Sequence, residues 1–178
     1  MSKIYHPIPP LFDENSEILI LGSFPSVKSR EVMFFYGHKQ NRFWRVMARL
    51  LESETPETVE DKTRLILDNH FALWDVIASC EIEGSADSTI KSVIPNDLSV
   101  ILNHAPIKRI FVNGKKAFAL YRKFIEPETG ISACALPSTS PANASYSEDR
   151  LVSEWGRAIF GKTDNADEIG KENAEDTK

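Results

Sequence analysis

Ile18-Leu19-Ile20-Leu21 runs directly into Gly22-Ser23-Phe24-Pro25-Ser26, and this junction decides the fold. An unbroken aliphatic run this short, between a charged residue and a glycine, reads as a strand buried on both faces, from about Glu17 to Leu21. In open α/β sheets the ligand sits in the loop beyond the carboxyl end of such a strand. Here that loop continues through Tyr36-Gly37-His38-Lys39-Gln40-Asn41-Arg42-Phe43-Trp44. It carries aromatics, an amide and several cations before a helix starts at about Asn41. Such a mixture suits a flat, polar-edged ligand attached to a phosphate; a flipped nucleobase is one.

Working outward, residues 1–16 read as an irregular lead-in, because Pro7, Pro9 and Pro10 block helix and central strand. Asn41 to Leu51 is amphipathic: Phe43, Met47 and Leu50 share one face, and Arg42, Arg45 and Arg49 another. Thr55-Pro56 reads as a helix start, with the helix running to about Asn69. Phe71 to Val76 is a second apolar strand, and Cys80 to Ser92 a long polar loop. Asn96 or Asp97 caps a helix to about Asn103. Lys108 to Val112 is a strand ended by Asn113-Gly114, with a helix to Phe124. Ser132 to Leu136 is a last short strand, and Ser145 with Glu148 forms a capping box for a helix to about Phe160. Strands alternating with helices predict a three-layer α/β/α sandwich around a mostly parallel sheet of about four strands. Residues 1–160 form one domain; 161–178 form an acidic tail expected to be disordered.

Composition narrows the function. The 178 residues, 42% of them hydrophobic, suffice for one real core. No stretch approaches the roughly 18 apolar residues of a membrane span, and the N-terminus lacks the apolar region of a signal peptide. Two cysteines, Cys80 and Cys134, are too few for a disulfide framework, and suggest reduced thiols in a cytoplasmic protein. The net charge of −5 argues against a basic DNA-coating protein, but residues 161–178 carry −3 of it. Lys28, Arg30, Lys39, Arg42, Arg45 and Arg49 face only one acid, Glu31, between residues 28 and 49. No Gly-rich dinucleotide fingerprint or P-loop is present, and no His/Cys/Asp set has metal-ligand spacing. We expect no cofactor and no metal.

Three segments, in this order and spacing, resemble the uracil-DNA glycosylase superfamily. They are Gly22 to Ser26 with Asn41-Arg42-Phe43-Trp44; Leu73-Trp74-Asp75-Val76 with Ser79-Cys80 and Glu83-Gly84-Ser85; and Leu136-Pro137-Ser138-Thr139-Ser140-Pro141-Ala142-Asn143. Ile110 to Gly114 matches the family's strand-to-helix segment. The match covers about residues 15 to 160 and is closest to the hypoxanthine-DNA (deoxyinosine) glycosylase branch.

The resemblance implies a four-stranded parallel sheet in the sandwich, and hydrolysis of the N-glycosidic bond of a deaminated deoxynucleotide by a monofunctional, cofactor-free monomer. It implies that Gly22, Ser23, Phe24 and Pro25 line the base site, with Phe24 stacking on the base. Asn41 aims the attacking water and Asn113 bonds the base edge. Ser138, Thr139, Ser140 and Asn143, with Arg42, contact the DNA backbone and help fill the gap. The departures matter as well. Phe24 stands where other branches place the Asp or Asn that handles the water, and Leu136 where some place a His that stabilises a uracil anion. Lys39 replaces an expected proline. A site without that base and that His favours hypoxanthine, which leaves neutral once protonated.

Each residue also has a plain reading. Asn41 sits where a helix cap belongs, Phe24 where core belongs, and Asn113-Gly114 at an ordinary strand end. Ser138 and Ser140 beside prolines shape turns. Trp74 and Asp75 read as structural, with Asp75 a helix cap, and His38 as a surface residue. The alternatives to a deoxyinosine enzyme are a G:T/U mismatch or uracil glycosylase, and an inactive nucleotide- or DNA-binding module of the same fold. The partner in every enzymatic case is DNA, as damaged duplex or single strand.

Overall fold

A computed structural model of the chain describes residues 2–161. Strand β1 (Lys3–Tyr5) precedes β2 (Ile18–Gly22). Helices α1 (Val27–Val32), α2 (Phe43–Leu50) and α3 (Val59–Asp68) lead to β3 (Phe71–Asp75). Strands β4 (Ile77–Glu81) and β5 (Lys91–Pro95) come before α4 (Ser99–Leu102) and β6 (Arg109–Asn113). Helices α5 (Lys115–Phe124) and α6 (Glu126–Thr129), strand β7 (Ala133–Leu136) and helix α7 (Glu148–Phe160) follow.

The central sheet has four strands, all parallel, in the order β3-β2-β6-β7. Burial on both faces explains why β2 and β3 lack alternation: Leu19, Ile20 and Leu21 are fully buried, as is β3 throughout. The β2-to-β3 crossover runs toward one sheet edge, and the β3-to-β6 and β6-to-β7 crossovers toward the other. Right-handed connections therefore place α1–α3 on one face and α4–α6 on the opposite face. Helix α7 packs on α2 and joins the first layer. The expected three-layer sandwich is the fold.

Trp155 of α7 is the largest side chain buried completely, and its indole Nε1 donates to the Pro137 carbonyl at 2.9 Å. Its ring meets Phe43 of α2 edge to face at a centroid distance of 5.9 Å. This contact ties the last helix, the segment after β7 and the helix behind Asn41 into one block.

Four boundaries differ from the sequence reading. The lead-in is not wholly irregular, because β1 pairs antiparallel with β4. The polar stretch from Cys80 to Ser92 is not all loop, because β4 turns back into β5, giving a separate antiparallel sheet β1-β4-β5. Strand β5 lies on an edge and exposes much of its length, so it carries no apolar period. Helix α3 begins after Thr58, whose hydroxyl accepts from the Asp61 amide at 3.0 Å, and not at Thr55-Pro56. Helix α7 is capped by Ser147, which accepts from the Arg150 amide at 3.1 Å; Ser145 is outside it, and no capping box forms. Of the expected tail, 161–178, Gly161 ends α7 in a left-handed conformation and residues 162–178 lie outside the described residues.

Candidate active site

Parallel pairing without slippage brings the carboxyl ends of the strands into one row. Gly22 is opposite Asp75, Leu21 opposite Val112, and Asn113 opposite Leu136. Residues in register on parallel strands face the same side, so Asp75, Gly22 and Asn113 share one face at the top of the sheet. The glycine is required there. A β-carbon at residue 22 would collide with Asp75 Oδ1 and lie 3.2 Å from the Tyr36 hydroxyl.

The loop after Gly22 is built rigidly. Ser26 caps α1 by accepting from the Ser29 amide at 3.1 Å. Ser29, itself buried, accepts from the Gly37 amide at 2.9 Å and so closes the loop on itself. Arg30 donates to the Pro25 carbonyl at 2.8 Å and lies 5.4 Å from the Phe24 ring centroid. Phe24 is buried between this guanidinium and His6, which meets it edge-on at 5.9 Å. The tip of the β4–β5 hairpin docks on the same loop. Ser23 donates to Asp87 Oδ1 at 2.9 Å, and the Val27 amide donates to Ser85 Oγ at 2.9 Å.

Asn41, Thr139 and Asn113 form one hydrogen-bonded chain. Thr139 Oγ1 donates to Asn41 Oδ1 at 2.9 Å and accepts from Asn113 Nδ2 at 3.0 Å. The Thr139 amide donates to Asn113 Oδ1 at 3.1 Å. Asn41 Oδ1 also accepts from the Phe43 amide at 3.0 Å; the cap position of α2 is Arg42, so Asn41 shapes the turn before the helix and is not its N-cap. Its Nδ2 group has no protein partner among the described residues. The oxygen is thus held from two sides while the amide hydrogens stay available.

Two of the residues expected at the DNA backbone have other work. Thr139 is fully buried and serves as the hub of the chain. Arg42 turns its guanidinium onto the carbonyls of the loop after β7: Thr139 at 3.4 Å, Ser140 at 2.8 Å, Asn143 at 3.1 Å, and Tyr146. It shapes that loop from inside. Ser138 and Ser140 each accept from the backbone amide two residues on, at 3.1 and 3.2 Å. Both hydroxyl hydrogens remain without a protein acceptor among the described residues, as phosphate contact requires. Asn143 Nδ2 donates to the Ser138 carbonyl at 3.0 Å and closes the turn. Asn113 has both ends of its amide on Thr139.

The cation cluster divides as well. Arg45 and Arg49 pair with Glu148 and Asp149 at the start of α7, at 2.7 to 3.4 Å. Lys28 reaches Glu31 at 3.7 Å. Lys39 is exposed beside the site, and Lys115 and Lys116 follow the Asn113-Gly114 turn. His38 is exposed and accepts from the Gln40 amide at 3.1 Å through Nδ1. Leu136 is buried, and Cys80 and Cys134 are free thiols.

Sequence reasoning missed one constellation. His6, from the lead-in, bonds through Nε2 to Asp75 Oδ2 at 2.7 Å, with both side chains nearly inaccessible. His6 Nδ1 accepts from the Ile8 amide at 3.3 Å, which places the proton on Nε2. Asp75 therefore caps no helix. The partners are 69 residues apart; the pairing of β1 with β4 and a bridge between Leu11 and Leu73 carry His6 to the end of β3.

Known proteins similar to this chain identify its family. The profile of the Uracil DNA glycosylase superfamily matches residues 9–160. Proteins named hypoxanthine DNA glycosylase from Methanosarcina acetivorans and Methanosarcina barkeri are 38% and 35% identical over 154 residues, covering 85% of this chain and 95% of theirs. A solution NMR structure from Methanosarcina acetivorans, of a protein provisionally described as a uracil DNA glycosylase, superposes with a TM-score of 0.73 at 37% identity. It covers 86% of this chain and 94% of its own. With the sheet, the loop after Gly22 and the Asn41–Thr139–Asn113 chain in place, this protein belongs to the uracil DNA glycosylase superfamily.

Proposed function

We propose that this protein is a monofunctional DNA glycosylase that hydrolyses the N-glycosidic bond of deoxyinosine, releasing hypoxanthine and leaving an abasic site. The observation that carries the reading is the Asn41–Thr139–Asn113 chain at the carboxyl end of a sheet of this family. The two relatives named hypoxanthine DNA glycosylase support the choice of base.

The chemistry asks little of the protein. The base is first extruded from the duplex, at a cost of a few kcal/mol that is smaller for a mispaired base. Breaking the C1′–N9 bond sends its electron pair to the base and leaves positive charge on the sugar, which the flanking phosphates stabilise. Water then adds its oxygen to C1′ and its proton passes to solvent, while hypoxanthine protonated on the imidazole ring leaves neutral. Asn41, held by Thr139, orients the water. Phe24 walls the base site, and Ser138 and Ser140 hold phosphate through their free hydroxyl hydrogens. Arg42 and Asn143 set the shape of that loop. The protein works as a cytoplasmic monomer, with one face left open for DNA.

The buried Leu136 favours this substrate over uracil, since a departing uracil anion gains from a donor at that position. Excision from duplexes carrying deoxyinosine, uracil or a G·T mismatch tests the reading. Release of base from deoxyinosine is expected; release only from uracil or G·T would overturn the substrate.

A further inference from the structure

Hypoxanthine leaves neutral only if a proton reaches its imidazole ring, and the groups assigned above do not bring one. Neither Asn41 nor Thr139 titrates near neutral pH, and Asp75 is committed to His6. Another acid stands against the loop that lines the base site. It is Asp87, the first residue of a short 3₁₀ turn (Asp87–Thr89) at the tip of the β4–β5 hairpin. Three contacts press this tip onto the loop after Gly22. Buried Ser23 donates from Oγ to Asp87 Oδ1 at 2.9 Å, the Val27 amide donates to Ser85 Oγ at 2.9 Å, and Arg30 reaches the Gly84 carbonyl at 3.5 Å. The second carboxyl oxygen, Oδ2, has no protein partner among the described residues.

Asp87 faces titratable groups from every element around it. Asp75 comes from the end of β3, Lys116 from α5, Tyr36 from the loop after α1, and Cys80 from β4. Arg30 of α1 backs the hairpin from below the loop. Crowding by protein strips water from the carboxyl and raises its pKa above the ordinary carboxylate range; the Ser23 bond opposes this, the Asp75 charge adds to it, and Lys116 opposes it. The group therefore keeps its proton to higher pH than a free aspartate does. The residue as a whole is exposed at the hairpin tip, so water can return a proton after each turnover.

Depth decides which part of the base Asp87 meets. Gly22 and Asp75 end buried strands and form the floor of the site, whereas Asp87 stands at the rim. An extruded purine stays bonded to its sugar through N9. Its six-membered ring goes down to the floor, and its imidazole ring remains at the mouth.

We propose that Asp87 is the general acid of the reaction and delivers its carboxyl proton to N7 of hypoxanthine. Ser23 is a positioning residue that holds Oδ1 and leaves the proton on Oδ2. The Oδ2–H bond breaks as hydrogen bonds to the N7 lone pair. The C1′–N9 electron pair then moves onto N9, and hypoxanthine leaves neutral with its hydrogen on N7. Water adds its oxygen to C1′ and gives a proton to solvent, and solvent returns one to the Asp87 carboxylate, so the net reaction remains hydrolysis. The assignment rests on the deoxyinosine reading above and deepens it. Uracil has no N7 and gains nothing from this acid.

The test uses the full chain in single-turnover excision from duplexes carrying deoxyinosine or 7-deaza-2′-deoxyinosine, in which a C–H group replaces N7. Asp87→Asn keeps an oxygen for Ser23 and removes the acid. It is expected to bind a duplex carrying cleavage-resistant 2′-fluoroarabino hypoxanthine as wild type does, and to excise hypoxanthine about 10²-fold more slowly. The wild-type rate is expected to fall as pH rises through the raised Asp87 pKa, and Asp87→Asn to lack that inflection. A residue that only docks the hairpin would leave the inflection in place. Wild type is expected to act on the 7-deaza duplex at least about 10²-fold more slowly than on deoxyinosine. Folded Asp87→Asn with the wild-type rate or the wild-type inflection would overturn the proposal. So would wild type that cleaves the 7-deaza duplex as fast as deoxyinosine, a measurement that stands whether or not the variant folds. Wild type that cleaves deoxyinosine but gives any of these results loses only the Asp87 assignment. Wild type that fails to cleave deoxyinosine loses both.

Discussion

At the scale of single residues, the site turns on a threonine that touches no substrate. Thr139 binds two asparagines that are far apart in sequence, and its hydroxyl both donates and accepts. Thr139→Val keeps the shape and removes that hydroxyl. It leaves a half-buried Asn113 amide short of one acceptor, so a loss of about 1–3 kcal/mol in stability is expected by chemical denaturation. The excision rate should fall more than stability explains, because Asn41 loses one of its two anchors. Asn41→Ala separates the plain reading from the catalytic one. A turn residue alone predicts a stability loss of about 0.5–2 kcal/mol with excision nearly intact. A water-orienting residue predicts a loss of about 10²-fold or more in single-turnover rate by folded protein. Asn41 was legible as a candidate through the resemblance of Asn41-Arg42-Phe43-Trp44 to the family motif, since its place before an amphipathic helix alone reads as a cap. Asp75 was not, because a lone acid at the end of an apolar strand looks like a cap until His6 is brought to it.

At the scale of elements, the loop after β7 is shaped from beneath by Arg42, whose donors go to four carbonyls. Its charge therefore faces protein. Arg42→Ala should weaken DNA binding by loosening the loop and leave the salt dependence of affinity unchanged. Lys39→Ala, at an exposed position beside the site, should lower the slope of log affinity against log salt by about one. The opposite pattern would return Arg42 to the phosphates. Helix starts give a second test. Ser147→Ala should cost about 0.5–2 kcal/mol by denaturant unfolding, and Ser145→Ala close to nothing. The strands β2, β3 and β6 were legible because doubly buried strands read as short unbroken apolar runs. The β4–β5 hairpin was not. Its turn residues and its exposed edge strand give a polar pattern that local reading assigns to a loop, and the strand that adds to the β4–β5 pair, β1, lies more than seventy residues earlier.

At the scale of the whole molecule, the parallel sheet is a device for bringing distant segments to one edge. Gly22, Asp75 and Asn113 come from three strands, and the loop after Leu136 from the fourth. Behind them, Trp155 and Phe43 clamp α7 to α2, so the wall carrying Asn41 is braced by the core. Removing that brace with Trp155→Ala should cost about 3–5 kcal/mol and reduce excision only through lost folded protein. The acidic total charge does not oppose DNA binding, since Arg45 and Arg49 answer the acids of α7 and Lys39 and Lys115 stay exposed.

The central claim is that this site removes hypoxanthine from DNA with Asn41 aiming the water. The direct measurement is a single-turnover assay on a labelled duplex with one deoxyinosine, followed by alkaline cleavage, for wild type and Asn41→Ala. Strand breakage at the inosine by wild type, lost in a variant that remains folded, is the predicted result. No breakage by folded wild type, or equal breakage by the variant, would contradict it.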